Sequence, residues 1–165
     1  MTRNRSLMNI LVLCTGNSAR SILLEHILND AGIGRVRAFS AGSQPTGQVH
    51  PQSLKLLDAM EIDTSDARSK SWDEFAADDA PIMDIVITVC GSAANETCPM
   101  WPGAPVRAHW GVEDPATAPQ AAQEAAFQDT FEILNRRTQA LLDHPFETMD
   151  AGELDALLKR IGTLQ

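Results

Sequence analysis

Apolar residues fall in short runs that alternate with stretches of helical spacing. Residues 9–13 (NILVL) are a compact apolar run, which predicts a buried strand. Over residues 18–31, Ile22, Leu23, Ile27 and Leu28 recur on one helical face, and Gly32 marks the stop. Residues 36–40 predict a second strand. Residues 50–60 place Leu54, Leu57 and Met60 on one face of a helix, and residues 71–77 predict a short helix capped by Ser71. The clearest strand is residues 84–89 (DIVITV), rich in β-branched side chains. A loop with Gly91, Pro99, Pro102, Gly103 and Pro105 follows, then a short strand at residues 106–109. Thr117 is expected to cap a long helix carrying Phe127, Phe131, Leu134, Leu141 and Leu142. A last helix is expected from Asp150, with Glu153 completing a capping box and Leu154, Leu157, Leu158 and Ile161 turned inward. Strands alternating with helices predict an α/β fold: an open parallel four-stranded sheet in three layers, with helices on both faces. Ligands on such sheets sit at the carboxyl ends of strands. Cys14, Cys90 and the segment after His109 all fall there.

The 165 residues suit a single domain, 1–165, with residues 146–165 as a C-terminal helical appendage. The net charge of −9 argues against nucleic acid or an anionic membrane as a partner. Any anion must therefore be held by local positive potential. No apolar run approaches the roughly 20 residues of a membrane span. Arg3 and Arg5 before an apolar run superficially resemble an export signal, but Asn9 interrupts the run and no small-residue cleavage site follows. Three cysteines, Cys14, Cys90 and Cys98, are a sparse, odd set that fits a reducing compartment, so a cytoplasmic location is expected.

Cys14 ends the first strand. Thr15, Gly16, Asn17, Ser18 and Ala19 are small enough for a tight loop, and Arg20 and Ser21 enter the next helix. Such a loop turns successive N–H groups inward and makes a concave anion site beside a helix N-terminus. The planar fork of Arg20 grips two oxygens at once. The same donors favour a thiolate, so Cys14 is expected to titrate below an ordinary cysteine and to act as a nucleophile on the bound oxyanion. A plain buried cysteine is the alternative. The pattern is not a nucleotide loop, because G-x-x-x-x-G-K-[ST] and its lysine are missing.

Cys-x5-Arg-Ser at a first strand–helix turn resembles the low-molecular-weight phosphotyrosine phosphatase fold. CTGNSARS, SAG at residues 40–42, IVITVC at residues 85–90, Cys98-Pro99 and HWGVEDP at residues 109–115 together are similar to the arsenate reductases built on that fold. The resemblance covers about residues 8–145. It implies reduction of arsenate to arsenite. Cys14 attacks arsenic held by the loop and Arg20, Asp114 protonates the departing oxygen, and Ser21 hydrogen-bonds the sulfur. A Cys14/Cys90/Cys98 disulfide relay, reset by a cellular thiol reductant, completes the cycle.

Geometry constrains the relay. Eight helical steps cover roughly 12 Å, whereas a disulfide needs Cα atoms within about 7 Å, so residues 91–97 (GSAANET) must loop back. Zinc is disfavoured, because C-x7-C is not a usual ligand spacing. Ala19 stands where many such reductases carry a cysteine outside the relay. The Cys90-to-Cys98 spacing is one residue longer than in the thioredoxin-coupled version, which leaves thioredoxin and glutathione or glutaredoxin both open as the reductant. No cofactor is required by this chemistry. Some members of the resembling family hold a potassium ion beside the loop, and the matching positions are Asn17, Glu25, Ser40 and Asp73. The alternative function is a phosphatase for phosphotyrosine or small phosphoesters, using Cys14, Arg20 and Asp114. The absence of tyrosine and the segment DPATAPQ after Glu113 speak against it.

Overall fold

The computed structural model of the chain describes residues 7–89 and 105–164. Four strands, β1 (Met8–Cys14), β2 (Val36–Gly42), β3 (Ile85–Thr88) and β4 (Val106–His109), pair in the order β2-β1-β3-β4. All three pairings are parallel. Four α-helices stand among the described residues: α1 (Arg20–Ala31), α2 (Pro51–Ala59), α3 (Gln120–Leu142) and α4 (Ala151–Ile161).

Alternation along β1 sorts the core into two layers, because successive side chains leave opposite faces of a strand. Ile10 and Val12 face α1, α3 and α4, packing with Leu23, Ile27, Phe127, Leu134, Leu157 and Leu158. Leu11 and Leu13 face the other way, onto Trp72 and Phe75 of a 3-10 helix (Trp72–Phe75) and onto Met83. The sheet is thus covered by helices on both faces.

Caps explain several helix starts. Pro51 starts α2, and His50 Nδ1 accepts the Gln52 N–H. Ser71 caps the Trp72–Phe75 turn by accepting from the Asp73 amide. Asp150 and Glu153 form the reciprocal capping box of α4. One expectation needs correction. Thr117 does not cap the long helix; it ends a separate 3-10 turn (Pro115–Thr117), and α3 begins at Gln120. Pro119 is the reason, since a proline drives the residue before it into extended backbone, and Ala118 has ψ 149°.

The C-terminal helix packs on the sheet. Leu154, Leu157, Leu158 and Ile161 join the core layer of α1 and α3. Trp110, fully buried after β4, donates its indole N–H to the Leu158 carbonyl at 2.9 Å. Among the described residues no helix is long and apolar enough to cross a membrane.

Candidate active site

The chain runs from β1 through α1 to β2 on one side, while β3 lies on the other. The carboxyl end of β1 is therefore a topological switch point, where open parallel sheets leave a crevice. Cys14 ends β1 there, buried and in register with Gly42 of β2. A Cβ at Gly42 would stand 2.3 Å from the Thr15 carbonyl oxygen, so only glycine lets the loop leave the sheet this closely.

Three of the loop's carbonyls are drawn outward. Thr15 O accepts from Gln44 N and Gly16 O from Thr46 N, both at 3.0 Å, and Ser18 O accepts from His50 N and Ser53 Oγ at 3.0 Å each. In a planar trans peptide the following N–H points the opposite way. The amides of Gly16, Asn17 and Ala19 are thereby turned to the inner side of the loop, and none has an acceptor among the described residues.

Asn17 makes the bend possible. Its φ is 48°, in the left-handed region that asparagine tolerates better than most residues. Its side chain is fully buried and bonded at both ends. Nδ2 donates to Ser21 Oγ (2.8 Å) and Ser40 Oγ (3.0 Å), and Oδ1 accepts the Lys70 amide (2.9 Å). Ser40 in turn donates to Glu25 at 2.7 Å. Burial pushes the Glu25 carboxyl above the ordinary glutamate range, opposed by the positive charge of Lys70 and the Ser40 hydrogen bond.

Arg20 leaves the first turn of α1 and reaches the segment after β4. Nη1 donates to the Val112 carbonyl at 3.1 Å, and Nη2 lies 3.5 Å from Asp114 Oδ2. Its Nε is buried and has no partner among the described residues. Asp114 uses Oδ1 to accept the Ala116 amide at 3.0 Å, which caps the Pro115–Thr117 turn and leaves Oδ2 facing Arg20. A groove of about 740 Å³ opens beside Asp114, between residues 111–118 and α3. Glu113, Asp114 and Asp129 line it, so it repels a second anion.

The structure brings the Cys14–Ser21 loop and Asp114 together through Arg20. It joins Asn17, Glu25 and Ser40 in one network and leaves Asp73 outside, exposed on its 3-10 helix. Cys90 and Cys98 lie outside the described residues. Two participants escape sequence reasoning. Lys70 is a lone lysine between polar neighbours, with no periodicity to flag it. Arg137 sits on α3 like a surface cation, yet it is fully buried and donates to the carbonyls of Trp110 (2.8 Å), Gly111 (3.3 Å) and Leu164 (2.9 Å).

The family model for low molecular weight phosphotyrosine protein phosphatase matches residues 9–153. The chain belongs to that family. Within this phosphatase family the chain is similar to an arsenate reductase of Bacillus subtilis, 35% identical over 130 residues, covering 78% of this chain and 90% of that protein. It is also similar to a glutaredoxin arsenate reductase of Synechocystis, 31% identical over 106 residues, covering 64% of this chain and 77% of that protein. Among solved structures, an arsenate reductase in the phosphate binding state superposes with a TM-score of 0.63 at 25% identity, covering 81% of this chain and 98% of that one.

Proposed function

We propose that the chain is a cytoplasmic enzyme that reduces arsenate to arsenite. The observation that carries this reading is the buried Arg20 Nε, which has no acceptor among the described residues, set beside inward loop amides that also have none among them. Buried donors of this kind are costly unless a ligand accepts from them, and a tetrahedral oxyanion supplies the acceptors. Its relatives include arsenate reductases, which narrows the oxyanion to arsenate.

The chemistry balances with three thiols. The Cys14 thiolate attacks arsenic(V), and Asp114 gives a proton to the departing oxygen, which leaves as water. The Cys90 thiolate then attacks the Cys14 sulfur. The electron pair of the sulfur–arsenic bond goes to arsenic, arsenite leaves, and a Cys14–Cys90 disulfide remains. Cys98 attacks Cys90 and moves the disulfide outward. Thioredoxin, or a glutathione and glutaredoxin system, returns two electrons and resets the enzyme. Ser21, held by Asn17, hydrogen-bonds the sulfur as it leaves.

Purified protein given arsenate and each reductant in turn should produce arsenite. Cys14→Ser should be inactive, and Cys98→Ser with thioredoxin should stop after one turnover. Full steady-state activity of Cys98→Ser with thioredoxin removes the relay. Hydrolysis of aryl phosphates with no arsenite formed under either reductant makes the chain a phosphatase instead.

A further inference from the structure

The segment HWGVEDP holds one large residue that the proposed chemistry does not use, Trp110. It is fully buried, and each of its polar groups is held. Its amide donates to the Thr88 carbonyl at 2.7 Å, and its carbonyl accepts from Arg137 Nη1 at 2.8 Å. Its indole N–H donates to the Leu158 carbonyl of α4 at 2.9 Å. The end of α4 presses on the same place. A Cβ at Gly162 would stand 2.8 Å from the His109 carbonyl oxygen and 3.1 Å from Cδ1 of the Trp110 ring, so any side chain there must part the helix end from the strand end. Beyond Trp110, the Val112 amide donates to the Val89 carbonyl at 3.2 Å, while the Val112 carbonyl accepts from Arg20. Asp114 follows, with Oδ1 accepting the Ala116 amide at 3.0 Å.

We propose that the C-terminal helix is the rear support of the loop that carries Asp114, and that Trp110 is the positioning residue through which it acts. The inference rests on the reading of Asp114 as the proton donor. A general acid works only within hydrogen-bond reach of the oxygen it protonates, and a misplacement of about 1 Å can cost about 10²-fold in rate. Residues 111–118 form no regular structure beyond the short Pro115–Thr117 turn, and one side of them faces the groove. Their position is therefore set where they leave β4, and that is at Trp110. The support behind it is rigid, because Leu154, Leu157, Leu158 and Ile161 anchor α4 in the core. The Leu158 carbonyl already accepts the Gly162 amide at 3.0 Å. The indole bond is thus not needed to satisfy that oxygen; what it fixes is the orientation of Trp110.

Amide hydrogen exchange and turnover test this together. The Ala116 amide is bonded to the Asp114 carboxylate, so its exchange reports where that carboxylate sits. The Gln44 and Thr46 amides, bonded to the Thr15 and Gly16 carbonyls, report on the anion loop. Trp110→Phe keeps a buried ring and removes the indole N–H. Its Ala116 amide should exchange about tenfold faster, and kcat for arsenate should fall about tenfold. Phosphate affinity and the exchange of Gln44 and Thr46 should stay within about threefold of wild type. Leu28→Val removes core volume about 12 Å along α1 from Arg20; it should lower Tm and leave kcat and Ala116 exchange unchanged. Gly162→Ala should repeat the Trp110→Phe pattern. Gly152→Ala should not, because a Cβ there meets only Asp150 Oδ1, at 3.5 Å. Wild-type kcat and Ala116 exchange in Trp110→Phe overturn the proposal. So does a fall in phosphate affinity as large as the fall in kcat, an equal loss of kcat in Leu28→Val, or a Gly162→Ala protein that matches Gly152→Ala. If Trp110→Phe yields no folded protein, the two glycine variants decide in the same terms. If wild type makes no arsenite, the proposed function falls, and Ala116 exchange, which needs no turnover, still decides this inference.

Discussion

Arg20 holds two parts of the loop after β4 with one guanidinium: Nη2 lies 3.5 Å from Asp114 Oδ2 while Nη1 donates to the Val112 carbonyl at 3.1 Å. The fork is thereby aimed, with Nε left on the buried side. A lysine has one point charge and cannot reproduce that geometry. Arg20→Lys is expected to lower kcat/KM for arsenate by about two to three orders of magnitude. Phosphate affinity should fall in parallel, and the fold should persist by circular dichroism. A lysine variant within a few-fold of wild type would show that the fork is not what holds the anion.

Asp114 is expected to act on the leaving oxygen and not on binding. Asp114→Asn keeps an oxygen that can cap the Ala116 amide, so the turn at residues 115–117 should survive. Loss of the proton donor should lower kcat by about 10²–10⁴-fold with KM within a few-fold of wild type. Single-turnover measurement of arsenite release, with thiols already reduced, separates arsenate attack and arsenite release from the later Cys98 and reductant steps. An equal fall in kcat and rise in KM would assign Asp114 to binding through Arg20 instead.

Arg137 ties the C-terminal segment to the loop that carries Asp114. Its guanidinium satisfies the carbonyls of Trp110, Gly111 and Leu164 from within the core, and burial lowers its affinity for a proton below the ordinary arginine value. Arg137→Met is close in volume but leaves three carbonyls without that donor. A buried acceptor left unsatisfied costs about 1–3 kcal/mol; the Trp110 carbonyl is buried while Leu164 is exposed and open to water, so a loss of about 2 kcal/mol in urea unfolding is expected. Because Gly111 leads directly into Val112 and Asp114, kcat should fall as well, while removal of a surface cation such as Lys159 should change neither.

The parts that were legible from sequence are those whose causes are local. The β1–α1 turn shows itself in small residues followed by Arg20, and the α4 start in Asp150 and Glu153, because caps and tight loops use neighbours in the chain. The alternation of Leu11 and Leu13 with Ile10 and Val12 is visible only as an apolar run; the two faces differ in what packs on them from afar. Thr117 looked like a helix start because it precedes a helical pattern, but Pro119 intervened. Lys70 and Arg137 could not be read, since their partners, Asn17 and Gly42 for one and Trp110 and Leu164 for the other, come close only when the chain folds.

The Arg68–Glu74 pair sets a pH dependence. Both Glu74 oxygens accept from Arg68, at 2.7 and 3.1 Å, and those hydrogen bonds hold the carboxyl below its ordinary value of 4.5. A carboxylate depressed in the folded state contributes stability above its unfolded pKa, and that contribution is lost as pH falls through the folded value. Unfolding free energy should therefore drop below about pH 4.5 in wild type and less steeply in Glu74→Gln. The pair is half exposed, so the difference should stay within about 1 kcal/mol and shrink in 1 M salt. A Glu74→Gln profile parallel to wild type from pH 3 to 6 would show that the pair contributes nothing to this slope.

Asn17 combines a backbone requirement with a bonding one, and two substitutions separate them. Its φ of 48° is one that alanine adopts at a cost of about 1–2 kcal/mol, whereas glycine adopts it freely. Both substitutions lose the three side-chain bonds to Ser21, Ser40 and the Lys70 amide. At about 1 kcal/mol each, that shared loss should lower stability by about 3 kcal/mol in either variant. Asn17→Ala should then be less stable than Asn17→Gly by about 1 kcal/mol. Phosphate binding should fall in both, and further in the alanine variant, because the amides of Gly16 and Asn17 point inward only while the turn keeps its hand. If Asn17→Ala equals Asn17→Gly in urea unfolding and in phosphate affinity, the turn carries no strain and the side-chain bonds alone account for the residue.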